Sequence, residues 1–336
     1  MKNTTARNNY LKYIAIALVI VFLVSAALFL LALWENRQGK FPETGNEDGV
    51  IEYNGKEYVP RDNIETFLVL GLDKYDGQDS SDSHESGVQA DFLMLFVFNN
   101  ETKQATAIHI NRDTITKVNK LAIGGTAVVE SYMRQIALAY NYVDDDNDKI
   151  RCRNTKDSVE YLLNGIKVDH YLSLTMDAVS ASCDLVGGVE VTVLDDFTGI
   201  DDTLVKGETV NLTGEQALRY VRSRYGLEDS TNTNRMKRQQ QYLNALYDKT
   251  VSLIEADNEF ILKLVDTMDE YVVYDSSDKK MQKYAEKFKE YEFLGIKEID
   301  GEAKRGEEFM EFYSNEESIK KLVVELFYIP KASDNK

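Results

Sequence analysis

Short apolar runs separated by polar turns dominate residues 64–110. Thr66–Leu72 (TFLVLGL), Asp91–Asn99 (DFLMLFVFN) and Gln104–Ile110 (QATAIHI) are too short for helices and read as buried strands. Turn residues Asn99–Lys103 predict a hairpin between the last two, and an acidic, serine-rich loop, 76–87, separates the first two. From residue 127 the period lengthens. Ala127–Val143 (AVVESYMRQIALAYNYV) has helical spacing, and Thr155–Gly165 (TKDSVEYLLNG) reads as a helix with Thr155 as N-cap and Gly165 as stop. Asp169–Thr175 and Val189–Val193 read as strands, with a helix over 176–188 between them. Thr213 caps a helix that runs into the stretch ALRYVRSR, and a long amphipathic helix covers Asn234–Val251. Strands interleaved with helices, plus a hairpin, predict an α/β fold with a mixed central sheet flanked by helices.

The two ends of the chain follow other patterns. Tyr13–Trp34 is 22 residues without a charge, enough to cross a hydrocarbon core about 30 Å thick. Lys2, Arg7 and Lys12 precede it with no acid among them, which predicts a cytoplasmic tail (1–12), a transmembrane helix (13–34) and an extracellular remainder. A polar stalk is expected over 35–62, with a short hairpin at Asn54-Gly55. The core domain is expected over 63–255. Residues 256–336 form charged amphipathic segments, read as a helix or two and an ending strand, and are expected to be a helical extension without catalytic signal. The chain carries a net charge of −18, which excludes non-specific nucleic-acid binding. Cys152 and Cys183 would both be extracellular, either paired or free and buried, and their spacing fits no metal site.

Charge placement supplies the candidate chemistry. Asp73 follows the first strand, Asp91 opens the second, and Arg112-Asp113 ends the third. Ligand sites of α/β sheets lie at strand ends. Together Asp73 and Asp91 are placed to hold a hard cation, Mg²⁺ or Mn²⁺, although either alone is equally a turn residue. Lysines outnumber the 13 arginines two to one, yet Arg219, Arg222, Arg224, Arg235 and Arg238 crowd into 20 residues with only Lys237 among them. Arg235 and Gln239 share one helical stripe, whereas Arg219 and Lys237 fall elsewhere on the wheel and read as surface residues. Arginine grips phosphate through a planar fork. Such a cluster beside a carboxylate pair suits a pyrophosphate.

Five segments, FLVLGLD, QADFLMLFVFNNETKQATAIHINRDT, LVGGVEVTV, KGETVNLTGEQALRYVRSR and NRMKRQQ, in this order and spacing, resemble the LytR–CpsA–Psr family of bacterial cell-envelope proteins over roughly residues 64–250. The resemblance implies a membrane-anchored phosphotransferase on the outer face of the cell membrane of Gram-positive bacteria. Such an enzyme moves a glycopolymer, such as teichoic acid or capsule, from a polyprenyl-pyrophosphate carrier to peptidoglycan. Its partners are then the lipid-linked glycan, peptidoglycan and the lipid bilayer, and the carrier's tail occupies an apolar tunnel between sheet and helices. By the same resemblance Asp73 and Asp91 bind metal, and Arg112, Arg222, Arg224 and Arg235, with Gln239, grip the pyrophosphate. Three positions depart from the pattern. Gln89 stands where many members have arginine, Asn232 where many have aspartate, and Asn111 where many have proline. Losing one arginine fork costs on the order of 1.5–3 kcal/mol of phosphate binding, but Gln89 retains neutral hydrogen-bonding capacity toward the ligand. Two alternatives share these residues: a pyrophosphatase acting on the lipid carrier, and a non-catalytic binder of lipid or glycopolymer.

Overall fold

The computed structural model describes residues 49–74, 88–143, 145–223, 227, 232–257, 259–275, 287, 290–307 and 309–332. The apolar segment 13–34 and Arg224 lie outside them. Among the described residues no helix is long and apolar enough to cross a membrane.

The chain opens with β1 (Ile51–Tyr53) and β2 (Lys56–Pro60), joined at Asn54-Gly55, where both residues have positive φ (52° and 70°) as a tight hairpin turn requires. Next come β3 (Ile64–Leu72), β4 (Ala90–Asn99), β5 (Gln104–Ile110), β6 (Ile115–Leu121) and β7 (Val128–Gln135). Then follow α1 (Asp148–Leu162), β8 (His170–Leu174), α2 (Asp177–Leu185), β9 (Val189–Thr192), β10 (Thr209–Leu212), α3 (Gly214–Arg222) and α4 (Asn232–Ala256). The C-terminal part holds α5 (Phe260–Met268), β11 (Val272–Tyr274), β12 (Glu292–Glu298), β13 (Gly301–Arg305), β14 (Met310–Ser314), α6 (Glu316–Phe327) and β15 (Tyr328–Pro330).

Six strands form the central sheet in the order β11-β8-β3-β4-β5-β12. The β3–β8 and β5–β12 pairs are parallel and the others antiparallel, so the sheet is mixed. Its two faces differ. Leu68, Leu70, Leu72, Leu93, Leu95, Ile108 and Ile110 point to one side and pack against α1, α6 and the turn 136–140 in a fully buried cluster. On the other side lie Val69, Gly71, Phe92, Phe96, Phe98, Ala105, Ala107, Leu172 and Leu174, of which Val69, the three phenylalanines and both leucines are only half-buried. A Cβ on Gly71 would come within 2.9 Å of the Phe92 Cβ, so glycine is what allows the two strands this close an approach here. A second apolar cluster, around Val191, Phe197, Leu212, Tyr220 and Tyr242, joins β9 and β10 to α2, α3 and α4.

Several expectations change. Residues 128–135 form an edge strand paired with β6, and only 136–140 are helical, as a 3₁₀ turn. Val128, Val129, Tyr132 and Met133 are β-branched, aromatic or unbranched side chains that suit a strand, and their neighbour β6 had no periodic signal to reveal it. Thr155 is not an N-cap. The cap is Asn147, whose side chain accepts from the Lys149 amide at 3.0 Å, and Thr155 is buried mid-helix with its hydroxyl donating to the Arg151 carbonyl at 3.1 Å. Residues 256–336 are not a helical appendage: they supply β11 and β12 to the two edges of the central sheet, and α6 to its core. Residues 49–62 are no free stalk either, since β2 pairs with β15. Cys152 and Cys183 are both free and buried in different clusters.

Candidate functional site

The end of β3, the start of β4 and the end of β5 meet at one edge of the sheet because the three strands are antiparallel neighbours. A bulge falls here. Gly71 pairs with Phe92 but Leu72 with Ala90, which leaves Asp91 as the extra residue. Regular alternation would aim Asp91 into the leucine face. The bulge breaks that alternation, and the carboxylate, still buried, is compensated by two arginines. On the neighbouring strand, the Asp73 amide donates to the Gln89 carbonyl at 3.0 Å, so the two acids stand on adjacent backbone segments.

Asp91 is held from two directions. Arg112 Nη1 donates to Oδ1, and Arg235 Nη1 donates to Oδ2 at 3.0 Å. Both guanidiniums are buried, Arg235 to 3% exposure. Each also meets a neutral amide. Arg112 Nη2 donates to Gln89 Oε1, and Arg235 donates from Nε at 3.0 Å and from Nη2 at 2.6 Å to Asn232 Oδ1. These bonds fix the amide orientations, since an amide NH₂ turned toward a guanidinium would set donor against donor. Asn232 Nδ2 in turn donates to Asn111 Oδ1 at 2.7 Å, which ties the first residue of α4 to the corner after β5. Arg235 thus sits in the first turn of a 25-residue helix, where exposed amides and the helix dipole favour an anion.

At the rim, Arg222 reaches Asp73 Oδ1 from Nε at 3.2 Å and Nη2 at 3.1 Å. It closes α3, a helix begun by a full capping box between Thr213 and Gln216. Gln239 is buried one turn after Arg235 and donates to the Val221 carbonyl at 3.2 Å. It therefore braces the backbone next to Arg222 and does not reach toward Asp91. Gln89, Asp91, Arg112 and Arg235 are brought together, Asp73 and Arg222 adjoin them, and Arg224 lies outside the described residues.

The remaining arginines separate cleanly. Arg219 is on the surface, paired with Asp201 and Glu215 at 2.9 Å each. Arg238 is 1% exposed and forms an ion pair with Asp195 at 2.9 Å beneath the rings of Phe197 and Tyr220. It also donates to the Tyr220 carbonyl at 2.6 Å and to the Ser223 carbonyl, so it locks the end of α3 onto α4. That role was invisible in the sequence, because Asp195 is 43 residues away in the loop after β9. His109, on β5 beneath the site, is buried against Phe92. Burial, with the Arg235 charge, pushes its imidazole down to about 3, so it is neutral at physiological pH.

Chemically the arrangement sets buried guanidiniums against their own counter-charges. Two buried guanidiniums share one carboxylate, leaving donor capacity for an oxyanion that displaces it. Oxygen donors are also the right type for Mg²⁺, which takes one or two carboxylates and completes its shell with water and phosphate. Among the described residues no group of three or more His, Cys, Asp or Glu side chains is placed to hold a metal.

Comparison with known proteins identifies the family. The chain belongs to the LytR_cpsA_psr family, whose model matches residues 38–326. It is similar to the polyisoprenyl-teichoic acid–peptidoglycan teichoic acid transferase TagU of Enterococcus faecalis, 28% identical over 254 residues that cover 71% of this chain and 72% of that protein. It is also similar to biofilm regulatory protein A of Streptococcus mutans, 27% identical over 252 residues that cover 72% of this chain and 58% of that one. The chain spans somewhat more than half the length of most of the curated relatives it matches. The structure of TagT bound to LI-WTA shares the fold, with a TM-score of 0.58 at 22% identity over 79% of this chain and 90% of that one.

Proposed function

We propose that the protein is a membrane-anchored phosphotransferase that moves a glycopolymer from a polyprenyl-pyrophosphate carrier to peptidoglycan at the outer face of the cell membrane. The observation that carries this reading is the convergence of Arg112, Arg222 and Arg235, from three separate elements, on Asp73 and Asp91 at adjacent strand ends. The half-buried apolar face of the sheet supports it. Phe92, Phe96 and Phe98 run away from Asp91 along β4, beside the small residues Ala105 and Ala107, and offer an apolar surface to a hydrocarbon chain attached to the pyrophosphate. The apolar segment 13–34 supplies the anchor, and relatives named as teichoic acid transferases supply the polymer class.

The chemistry follows from charge. The acceptor hydroxyl oxygen attacks the phosphorus nearer the sugar, a new P–O bond forms, and the bond to the bridging oxygen breaks. Polyprenyl phosphate leaves with that oxygen, and the hydroxyl proton passes to solvent or to a carboxylate. Arg112 and Arg235 exchange Asp91 for phosphate oxygens and stabilise the charge that grows on them. Arg222 turns from Asp73 to the leaving phosphate. Asp73 and Asp91, released, would hold Mg²⁺, which neutralises phosphate charge when bound. Gln89 and Asn232 stay hydrogen-bonded to the two buried guanidiniums during the exchange.

The test is product analysis with the purified full chain, a polyprenyl-pyrophosphate-linked glycan, peptidoglycan and Mg²⁺. A glycan–phosphate–peptidoglycan linkage that disappears in Arg235→Ala is expected. Glycan phosphate and polyprenyl phosphate released without any linkage to peptidoglycan would identify a pyrophosphatase instead, and lipid binding without either outcome would identify a carrier-binding protein.

A further inference from the structure

Behind Arg112 lies a second acid that the transfer scheme leaves idle. Asp113 is 5% exposed, and its Oδ1 stands 3.5 Å from Arg112 Nε, a buried N–H with no well-formed hydrogen bond. The corner that carries both residues is gripped along its backbone. The Ala137 amide donates to the Arg112 carbonyl at 3.1 Å, Phe312 to Asp113 at 2.8 Å, and Ile136 to Thr114 at 2.8 Å, while the Asp113 amide donates to Asn111 Oδ1 at 3.0 Å. The Asp113 carboxylate also accepts from a side chain at the end of β7. Gln135 Nε2 donates to Asp113 Oδ1 at 3.1 Å and to the Met310 carbonyl of β14 at 2.7 Å. One amide NH₂ therefore spans from the C-terminal hairpin β13–β14 to the acid beside Arg112, at a residue only 8% exposed.

We propose that Gln135 is a positioning residue: braced on the β14 backbone, it holds Asp113 behind Arg112, and so makes the C-terminal hairpin a working part of the anion site. The inference rests on the pyrophosphate reading above. Its physical content is an anchoring problem. Arg112 now spends Nη1 on Asp91 and Nη2 on Gln89. An incoming phosphate takes Nη1 from Asp91, and a guanidinium that loses a charged partner would shift unless another charge holds its far side. Asp113 is the carboxylate on that side. Because Gln135 is neutral, it fixes Asp113 without cancelling its charge, whereas a basic residue there would draw Asp113 away from Arg112.

The experiment measures affinity of the detergent-solubilised full chain for geranylgeranyl pyrophosphate with Mg²⁺, by calorimetry, for wild type, Gln135→Leu and Gln135→Glu. Leucine cannot donate to Asp113, and a loss of at least tenfold in affinity at pH 7.5 is expected. The isosteric Gln135→Glu keeps the shape and makes the effect switchable. Facing Asp113, the new carboxyl has a raised pKa, so near pH 5 it is neutral and its single O–H donates to Asp113, while the donation to the Met310 carbonyl is given up. At pH 8 it is ionised and repels Asp113. Its affinity relative to wild type is expected to be within about twofold at pH 5 and at least tenfold weaker at pH 8. A role confined to stability would leave that ratio flat. Parallel pH profiles for Gln135→Glu and wild type, or a Gln135→Leu protein that binds as wild type does, would overturn this inference alone. A wild-type protein that binds no polyprenyl diphosphate would overturn it together with the reading on which it rests.

Discussion

Three buried side chains show how differently a polar group can be satisfied inside one protein. Arg235 faces Asp91 and an amide and keeps capacity for a ligand. Arg235→Lys retains the charge but loses the planar fork that spans Asp91 and Asn232, and kcat/KM for transfer is expected to fall at least tenfold with little change in thermal stability. Arg238 faces only its own protein. Arg238→Ala abandons Asp195, which is 5% exposed, and is expected to cost about 3–5 kcal/mol in urea unfolding. His109 is buried neutral. Its folded pKa, about 3, lies below the ordinary value of 6.5, so the unfolded chain takes up a proton first as pH falls. The stability that this histidine contributes is complete above pH 6.5 and is lost progressively below it, at up to about 1.4 kcal/mol per pH unit until pH 3. Subtracting the unfolding free energies of His109→Gln from those of wild type across pH 4–8 isolates the slope. A flat difference would contradict the assignment.

Elements were legible in the sequence where local pattern and tertiary role coincide. The three strands β3, β4 and β5 are apolar on both faces and bounded by turns, and Thr213 with Gln216 announces α3 in four residues. The site acids and Arg112 could be placed because strand ends can be read, and Arg222 and Arg235 because helical spacing can. What escaped depends on partners far along the chain. The β7 edge strand has its meaning only beside β6, and Gln135 is one glutamine among several until Met310 and Asp113 are seen on either side of it. The Asp91 bulge is equally silent, because Ala90-Asp91-Phe92 spells an ordinary strand start. β12 illustrates the cost of reading charge as exposure: Glu292–Glu298 alternates enough charge to look like a solvated segment, yet it pairs in parallel with β5. Truncation before Tyr291 would remove β12, the β14 brace and α6 together. It would bare one sheet edge and the leucine face, and the shortened chain is expected to be recovered only as aggregate, as judged by size-exclusion chromatography.

At the scale of the molecule, the proposed function asks a chain of net charge −18 to bind an anion. Long-range steering therefore opposes the ligand, and capture depends on short-range contacts in a low-dielectric recess. Raising ionic strength from about 50 to 300 mM shortens the Debye length below about 10 Å and screens the general repulsion more than the buried pairs. The association rate for a polyprenyl diphosphate, followed by stopped-flow fluorescence, is expected to rise with salt over this range; a steep fall would show that surface attraction guides the ligand.

On the proposed reading, Asp91, seated between Arg112 and Arg235, competes with the incoming phosphate for the same two guanidiniums. Sulfate or a lone phosphate meets an occupant already seated in two guanidinium forks. A diphosphate that arrives with a divalent ion brings something the single anions lack, a new home for the evicted carboxylate. Discrimination against the abundant small anions of the surroundings would then follow from the Asp91 carboxylate itself.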